Sequence, residues 1–241
     1  MANIAQYPSF LEHKDTFGLS SDFHNFATGQ EGWTSLVVDG GTSVAVSDAR
    51  GGILTLTTGA TDNNEAMVRS TTEIFLPTAG RPLFCRARIN LTQANTDDAN
   101  FFFGFASAAG ANLLVDDGAD PRTSGSIFGI YCSDGDTVLH AYTRNGSTST
   151  DTASTVSNTD TSGTYREWEM HICEFSTTQC VVTFLVDGYY LRDDTTYANV
   201  IEHRVSYASL TEMNFVPGYI KAGSASSETP LIDWCVAAQT R

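Results

Sequence analysis

Apolar residues along this chain come in short runs alternating with polar ones, and hardly any window holds them at helical spacing. The alternation predicts strands at Thr42–Val46, Ile53–Thr58, Ala66–Ser70, Phe84–Leu91, Asn100–Ser107, Ser126–Cys132 and Thr137–Arg144. It continues through Thr164–Cys173, Cys180–Leu185, Tyr189–Arg192, Asn214–Ala222 and Ile232–Gln239. Between these runs sit Asp39-Gly40-Gly41, Asp134-Gly135, Asn145-Gly146 and Asp187-Gly188, which tolerate the positive φ of tight antiparallel turns. In Phe184–Leu191 the Asp-Gly pair separates two apolar runs, so a hairpin is predicted there. In Tyr165–Cys173 one face collects Tyr165, Glu167, Glu169, His171 and Cys173, and the other Arg166, Trp168, Met170 and Ile172. Such a strand has one face in the core and one in solvent.

About a dozen short strands without helical crossovers predict an all-β fold, two antiparallel sheets packed as a jelly-roll sandwich. Neither a repeat nor a break in composition divides the chain, so residues 17–241 form one expected domain. Residues 1–16 lack a strand pattern and are expected to form an extended N-terminal arm. The tract Asn145–Gly163 is nearly all Ser, Thr, Asn, Asp and Gly. It suits a short edge strand and turn, with Asp151 and Asp160 opposing edge-to-edge aggregation.

Composition narrows the class. Among 241 residues, 41% are apolar and 17% charged, which suits a globular protein rather than a disordered one. A chain this long can bury a core without a disulfide or metal staple. The 28 acidic residues against 13 basic ones leave a formal charge of −15. Such a surface repels phosphate backbones and anionic lipid, so neither nucleic acid nor membrane is an expected partner. The longest apolar stretches, such as Cys180–Val186, fall far short of the roughly 20 residues a membrane helix needs. Five cysteines form no CxxC pair, four of them lie in strand-like runs, and no signal peptide is visible. Synthesis in a reducing cytoplasm is the resulting expectation.

Candidate chemistry is sparse. Acidic residues crowd Asn95–Asn100 and Asp116–Asp120, making Asp97, Asp98, Asp116 and Asp117 candidate oxygen ligands for Ca²⁺. EF-hand spacing is missing and Asp-Gly turns account for many of these residues, so no cofactor is the primary expectation. Glu167 and Glu169 lie about 7 Å apart at Cα on one strand face. With His171 they form an acid/base row of the kind glycosidases use, or simply a solvated sheet face. The histidines are scattered, and no HExxH, nucleophile elbow or phosphate-binding glycine loop occurs. Trp33, Trp168, Trp234 and the Tyr189-Tyr190 pair could stack on sugar rings. Trp168 and Trp234 sit in alternating patterns that assign them to the core. Tyr189 and Tyr190, beside a hairpin turn, are left as a glycan or protein contact.

The run from Arg86 to Gln239 resembles the concanavalin-A-like/laminin-G-like jelly roll. The resemblance is carried by ARINL (Ala87–Leu91), NFFFGFAS (Asn100–Ser107), the Trp168 strand, FLVDGYYL (Phe184–Leu191) and LIDWCVAAQ (Leu231–Gln239). Glycosidases of that fold carry a Glu-x-Asp-x-x-Glu strand, which YREWEMHIC does not match. Gly32–Phe75 and Ala94–Ala106 are similar to virion proteins of tailed bacteriophages built on this fold. That likeness implies a capsid decoration protein on the outside of the virion, a homotrimer bound to the major capsid protein, and no enzyme. The arm residues Tyr7, Phe10 and Leu11 would then contact the capsid or a neighbouring protomer. The alternative function is a carbohydrate-binding, lectin-like virion or tail protein for host attachment. A glycoside hydrolase acting through Glu167 and Glu169 is the third.

Overall fold

The alternating runs become strands almost wherever the pattern places them. The computed structural model describes residues 16–23, 32–38, 42–47, 51–91, 99–115, 120–158, 164–223 and 227–241. Within them lie β1 (Thr16–Ser21), β2 (Trp33–Val38), β3 (Ser43–Ser47), β4 (Ile53–Thr57), β5 (Glu65–Ser70), β6 (Leu83–Asn90), β7 (Ala99–Ala106) and β8 (Ser126–Cys132). They are followed by β9 (Val138–Asn145), β10 (Ser149–Ser157), β11 (Arg166–Ser176), β12 (Gln179–Val186), β13 (Tyr189–Tyr190), β14 (Glu202–Ser206), β15 (Asn214–Ala222) and β16 (Leu231–Thr240). Of the predicted turns, Asp39-Gly40-Gly41 lies outside the described residues, as do Tyr7, Phe10 and Leu11. The described body begins at Thr16, which pairs with Thr240.

Two antiparallel sheets result. Sheet A runs β13-β12-β11-β6-β16-β4-β3, with β1 also on β16 and β14 also on β12; sheet B runs β10-β9-β8-β7-β15-β5-β2. Stacked face to face, they make the expected jelly-roll sandwich. The Ser/Thr-rich tract supplies β10, an edge strand as predicted. β1, β2 and β14 are strands that the alternation did not single out. Register explains β14: it is short and acquires its pairing from β12, with His203 opposite Val182.

Leu83, Cys85, Ala87 and Ile89 of β6, with Trp168, Met170 and Ile172 of β11, face the sandwich interior and are buried. From sheet B, Phe101, Phe103, Phe105, Phe128 and Phe215 meet them. Trp168 stands edge-on to Phe101 and Phe103, with centroids 5.4 and 6.3 Å away. Four of the five thiols are buried as the β-like runs imply, and Cys173 is exposed.

Two features depart from simple alternation. Trp234 does not join the core. A bulge between Ile232 and Trp234 inserts Asp233, so Ile232 and Cys235 both point inward and Trp234 turns to the outer face, half-buried beside Arg86. Sheet B is also not one-sided. Its outer face carries a second apolar cluster of Met67, Phe102, Tyr131, Tyr142, Val216 and Tyr219, covered by Ala109, Leu113 and Leu114 from the β7–β8 connection. That connection is pinned by a buried ion pair, Lys221 Nζ to Glu65 at 3.3 Å. Asn112 completes it: its carbonyl accepts from Lys221 at 2.9 Å and its N–H donates to Glu65 at 2.9 Å. Breaking one partner of so buried a pair costs several kcal/mol, so the cover is firmly held.

Gly104 and Gly129 face each other between β7 and β8. A Cβ on Gly129 would come within 2.4 Å of the Phe102 ring and 2.6 Å of the Phe103 carbonyl. Gly129 therefore clears the space in which Phe102 lies across the sheet. Gly129→Ala is expected to lower stability by about 3 kcal/mol, the upper end of overpacking costs, in urea unfolding. An unchanged midpoint would contradict this packing.

Candidate functional site

Three surfaces gather the chemistry. On the outer face of sheet A, antiparallel register sets Glu167 opposite Arg88 and Glu169 opposite Arg86. Arg86 forms ion pairs with both glutamates, reaching Glu169 at 3.4 Å, and Glu169 also engages His171. Trp234 stacks on the Arg86 guanidinium 5.7 Å away, and Arg88 pairs with Asp233 while lying 4.5 Å over Tyr165. Glu167, Glu169 and His171 thus share one face, with Arg86 between the two carboxylates. The signal for Arg86 was present in the strand ARINL, but its register against Glu167 and Glu169 was not.

On sheet B, Tyr131 donates its hydroxyl within reach of Asp120 at 2.9 Å and Asp151 at 3.1 Å. His140 lies between Asp151, 3.2 Å from Nδ1, and Asp136, 3.4 Å from Nε2. Burial by itself would lower the His140 pKa, but the hydrogen bond and charge of Asp151, then Asp136 and Asp120, outweigh it and raise it. Burial beside the same carboxylates also raises the Tyr131 pKa. The cluster ties the β7–β8 connection, the β8–β9 turn and the edge strand β10 together. Asp97, Asp98, Asp116 and Asp117 lie outside the described residues. Among those described, no three His, Cys, Asp or Glu side chains converge as a metal site. Asn100, from the same acidic segments, is buried and accepts from the Asp134 N–H at 2.8 Å.

The third surface is the segment from β12 to β14. Asp187 and Gly188 have φ of +53° and +78°, as a two-residue hairpin turn of the predicted kind requires. The Asp187 carboxylate accepts from Glu167 N at 2.8 Å and Arg166 Nε at 2.9 Å, clamping the tip onto β11. Tyr189 and Tyr190 follow, 79% and 50% exposed. Buried Leu191 then anchors the chain, and Arg192 bridges to Val200. The Asp193 carboxylate accepts from the Thr195 hydroxyl and from the backbone N–H groups of Thr195 at 2.8 Å and Thr196 at 3.1 Å, bonds that hold its pKa low. Its carbonyl accepts from Tyr197 N at 2.8 Å. Tyr197 is left 71% exposed at a φ of +52°, a conformation costly for a bulky side chain and retained where the surroundings enforce it. Sequence pattern alone did not single out Tyr197; the Asp-x-Thr-Thr turn before it was the available signal.

No family model matches this chain, and no curated protein matches it. Solved structures match it in fold. The carbohydrate recognition domain of Emp46p in metal-free form is 8% identical over 92% of this chain and 95% of its own, with a TM-score of 0.61. Peanut lectin is 14% identical over 93% and 97%, with a TM-score of 0.56. A carbohydrate esterase from the Shiga toxin-encoding bacteriophage phi24B is 13% identical over 92% and 97%, with a TM-score of 0.54. The chain has the concanavalin-A-like, lectin-like jelly-roll fold that its sequence resembles.

Two histidines give the pH response opposite signs. His203 is buried against Phe184 between the hydroxyls of Thr143 and Thr152, and burial lowers its pKa to about 4. The unfolded chain takes up that proton near 6.5, so stability falls by about 3 kcal/mol as pH drops from 7 to 4. His140 is raised: its contribution is complete below its unfolded value and lost as pH climbs through the folded one. Urea unfolding across pH 4 to 8 should show a shallower acid loss for His203→Gln and a shallower alkaline loss for His140→Gln. Identical pH slopes in all three proteins would refute the assignment.

Proposed function

We propose that this protein is a glycan-binding module that receives its saccharide on the tyrosines between β12 and β14. The observation carrying this is their concentration: of the six exposed large apolar side chains among the described residues, three are Tyr189, Tyr190 and Tyr197. Exposed aromatic side chains so close along one braced segment mark a contact surface. Tyrosine suits sugar because its ring covers the C–H face of a pyranose while its hydroxyl meets the ring substituents. Asp187 and Asp193 fix the two turns that present these rings, so little entropy is lost when a ligand docks. The lectin-like fold supports the assignment by analogy.

Such a module would serve a virion or tail in attachment to a host surface. A decoration role, cementing the major capsid protein from the outside as a homotrimer, has its support in the sequence likeness to phage virion proteins and in the acidic surface. Fixed-stoichiometry co-purification with intact capsids, without glycan binding, would favour that role.

On a glycan array, the intact protein should bind a defined set of saccharides. Tyr189→Ala, Tyr190→Ala and Tyr197→Ala should each weaken binding about 5-fold, the equivalent of roughly 1 kcal/mol per aromatic contact. Their melting temperatures should stay close to that of the parent, since these rings are exposed. Absence of binding across a broad panel, or binding indifferent to all three changes, would overturn the proposal.

A further inference from the structure

The two sides of the sandwich end differently. On one side, the segment after β13 closes the gap between the sheets: Thr155 N donates to Arg192 O at 2.8 Å, and Asp194 N to Ala153 O at 3.1 Å. Charge guards that side too, with Asp151 on β10 and Glu202 and Arg204 on β14. On the other side, β2 ends sheet B and β3 ends sheet A, adjacent to one another. Neither WTSLVV nor SVAVS contains a charged residue or a proline. Val37 is 44% exposed, and Val44 and Val46 are only partly buried against the core. Among the described residues no strand pairs with the outer edge of β3. Natural sheets guard such an edge with charge, proline or a cover, and among the described residues this one carries none of the three.

The sequence of β3 also names its partner. Ser43-Val44-Ala45-Val46-Ser47 reads the same in both directions. We propose that β3 pairs antiparallel with β3 of a second copy of this chain, about a two-fold axis through Ala45. An isologous contact needs a patch complementary to itself, and a palindromic strand in antiparallel register is one. Val44 then faces the partner's Val46 on the core side and the exposed edge of the apolar cluster is covered. Ala45 meets the partner's Ala45 on the outer side, where a small side chain allows close approach. A register slipped by one residue would set these valines opposite residues of the partner's outer face, so a one-residue slip is excluded. Two copies of charge −15 repel, and the lack of charged residues within β2 and β3 keeps like charges out of the strand contact itself. The dimer would present two β12–β14 segments, and paired sites multiply weak contacts with a surface.

Sedimentation of the full chain tests this. A monomer–dimer equilibrium is expected, tightening as salt rises because screening weakens the mutual repulsion. Ala45→Lys places two like charges opposite each other and should raise the dimer dissociation constant at least 10-fold with an unchanged circular dichroism spectrum, since Ala45 is exposed. In a Cys173→Ser background, Ala45→Cys should form a covalent dimer on oxidation, because directly opposed residues lie within disulfide reach. Ser43→Cys, which faces the partner's Ser47, should not. A chain that stays monomeric, a trimer indifferent to Ala45→Lys, or cross-linking through Ser43→Cys would each overturn the proposal.

Discussion

Both sheets depend on one aromatic seam. Trp168 of sheet A is held edge-on by Phe101 and Phe103 of sheet B, and the contact passes from Phe103 to Phe215 at 6.0 Å. From Phe215 it continues to Trp33 at 6.0 Å and to Phe105 at 5.5 Å, and from there through Phe75 to Phe17 of β1. Each such pair adds roughly 0.5–1.5 kcal/mol beyond the area it buries. Because the seam touches β1, β2, β7, β11 and β15, it joins strands far apart in the chain and makes the sandwich a single cooperative body.

The seam also decides where chemistry can lie. With β7 and β15 buried on both faces, the centre of sheet B is packed rather than open, and its polar groups gather at the margin as the Tyr131–His140 cluster. The outer face of sheet A is occupied by mutually satisfied ions around Arg86. Besides Val115 and Phe175, the large exposed apolar side chains among the described residues stand at the margins: tyrosines in the β12–β14 segment, and Val37 where β2 and β3 stop. The net charge of −15 repels nonspecific anionic partners from the molecule as a whole.

Much of the strand pattern was legible in the chain. The runs around Leu83–Asn90 and Ser126–Cys132 alternate or stay apolar strongly enough to mark their ends within a residue or two. The Asp187-Gly188 pair carried its turn in its own backbone preference. Trp234 shows the limit. Its neighbours alternate cleanly, yet the single inserted residue Asp233 reverses the side to which it points, and only pairing against β6 reveals the bulge. The second core was equally hidden, since Leu113 and Leu114 belong to a connection whose partner surface is assembled from five strands.

The sequence by itself determined the class of fold, because period-two burial and positive-φ turn residues are local properties that each segment carries alone. It also determined the palindrome of β3 and the excess of acid. Tertiary structure decided which of those segments ended as edges and which face of each strand met a second layer. It brought Arg86 between two glutamates and His140 between two aspartates, and it left Tyr189, Tyr190 and Tyr197 standing in solvent. Those outcomes depend on register between strands distant along the chain, and register follows from the summed packing of a whole sheet rather than from any one run of residues.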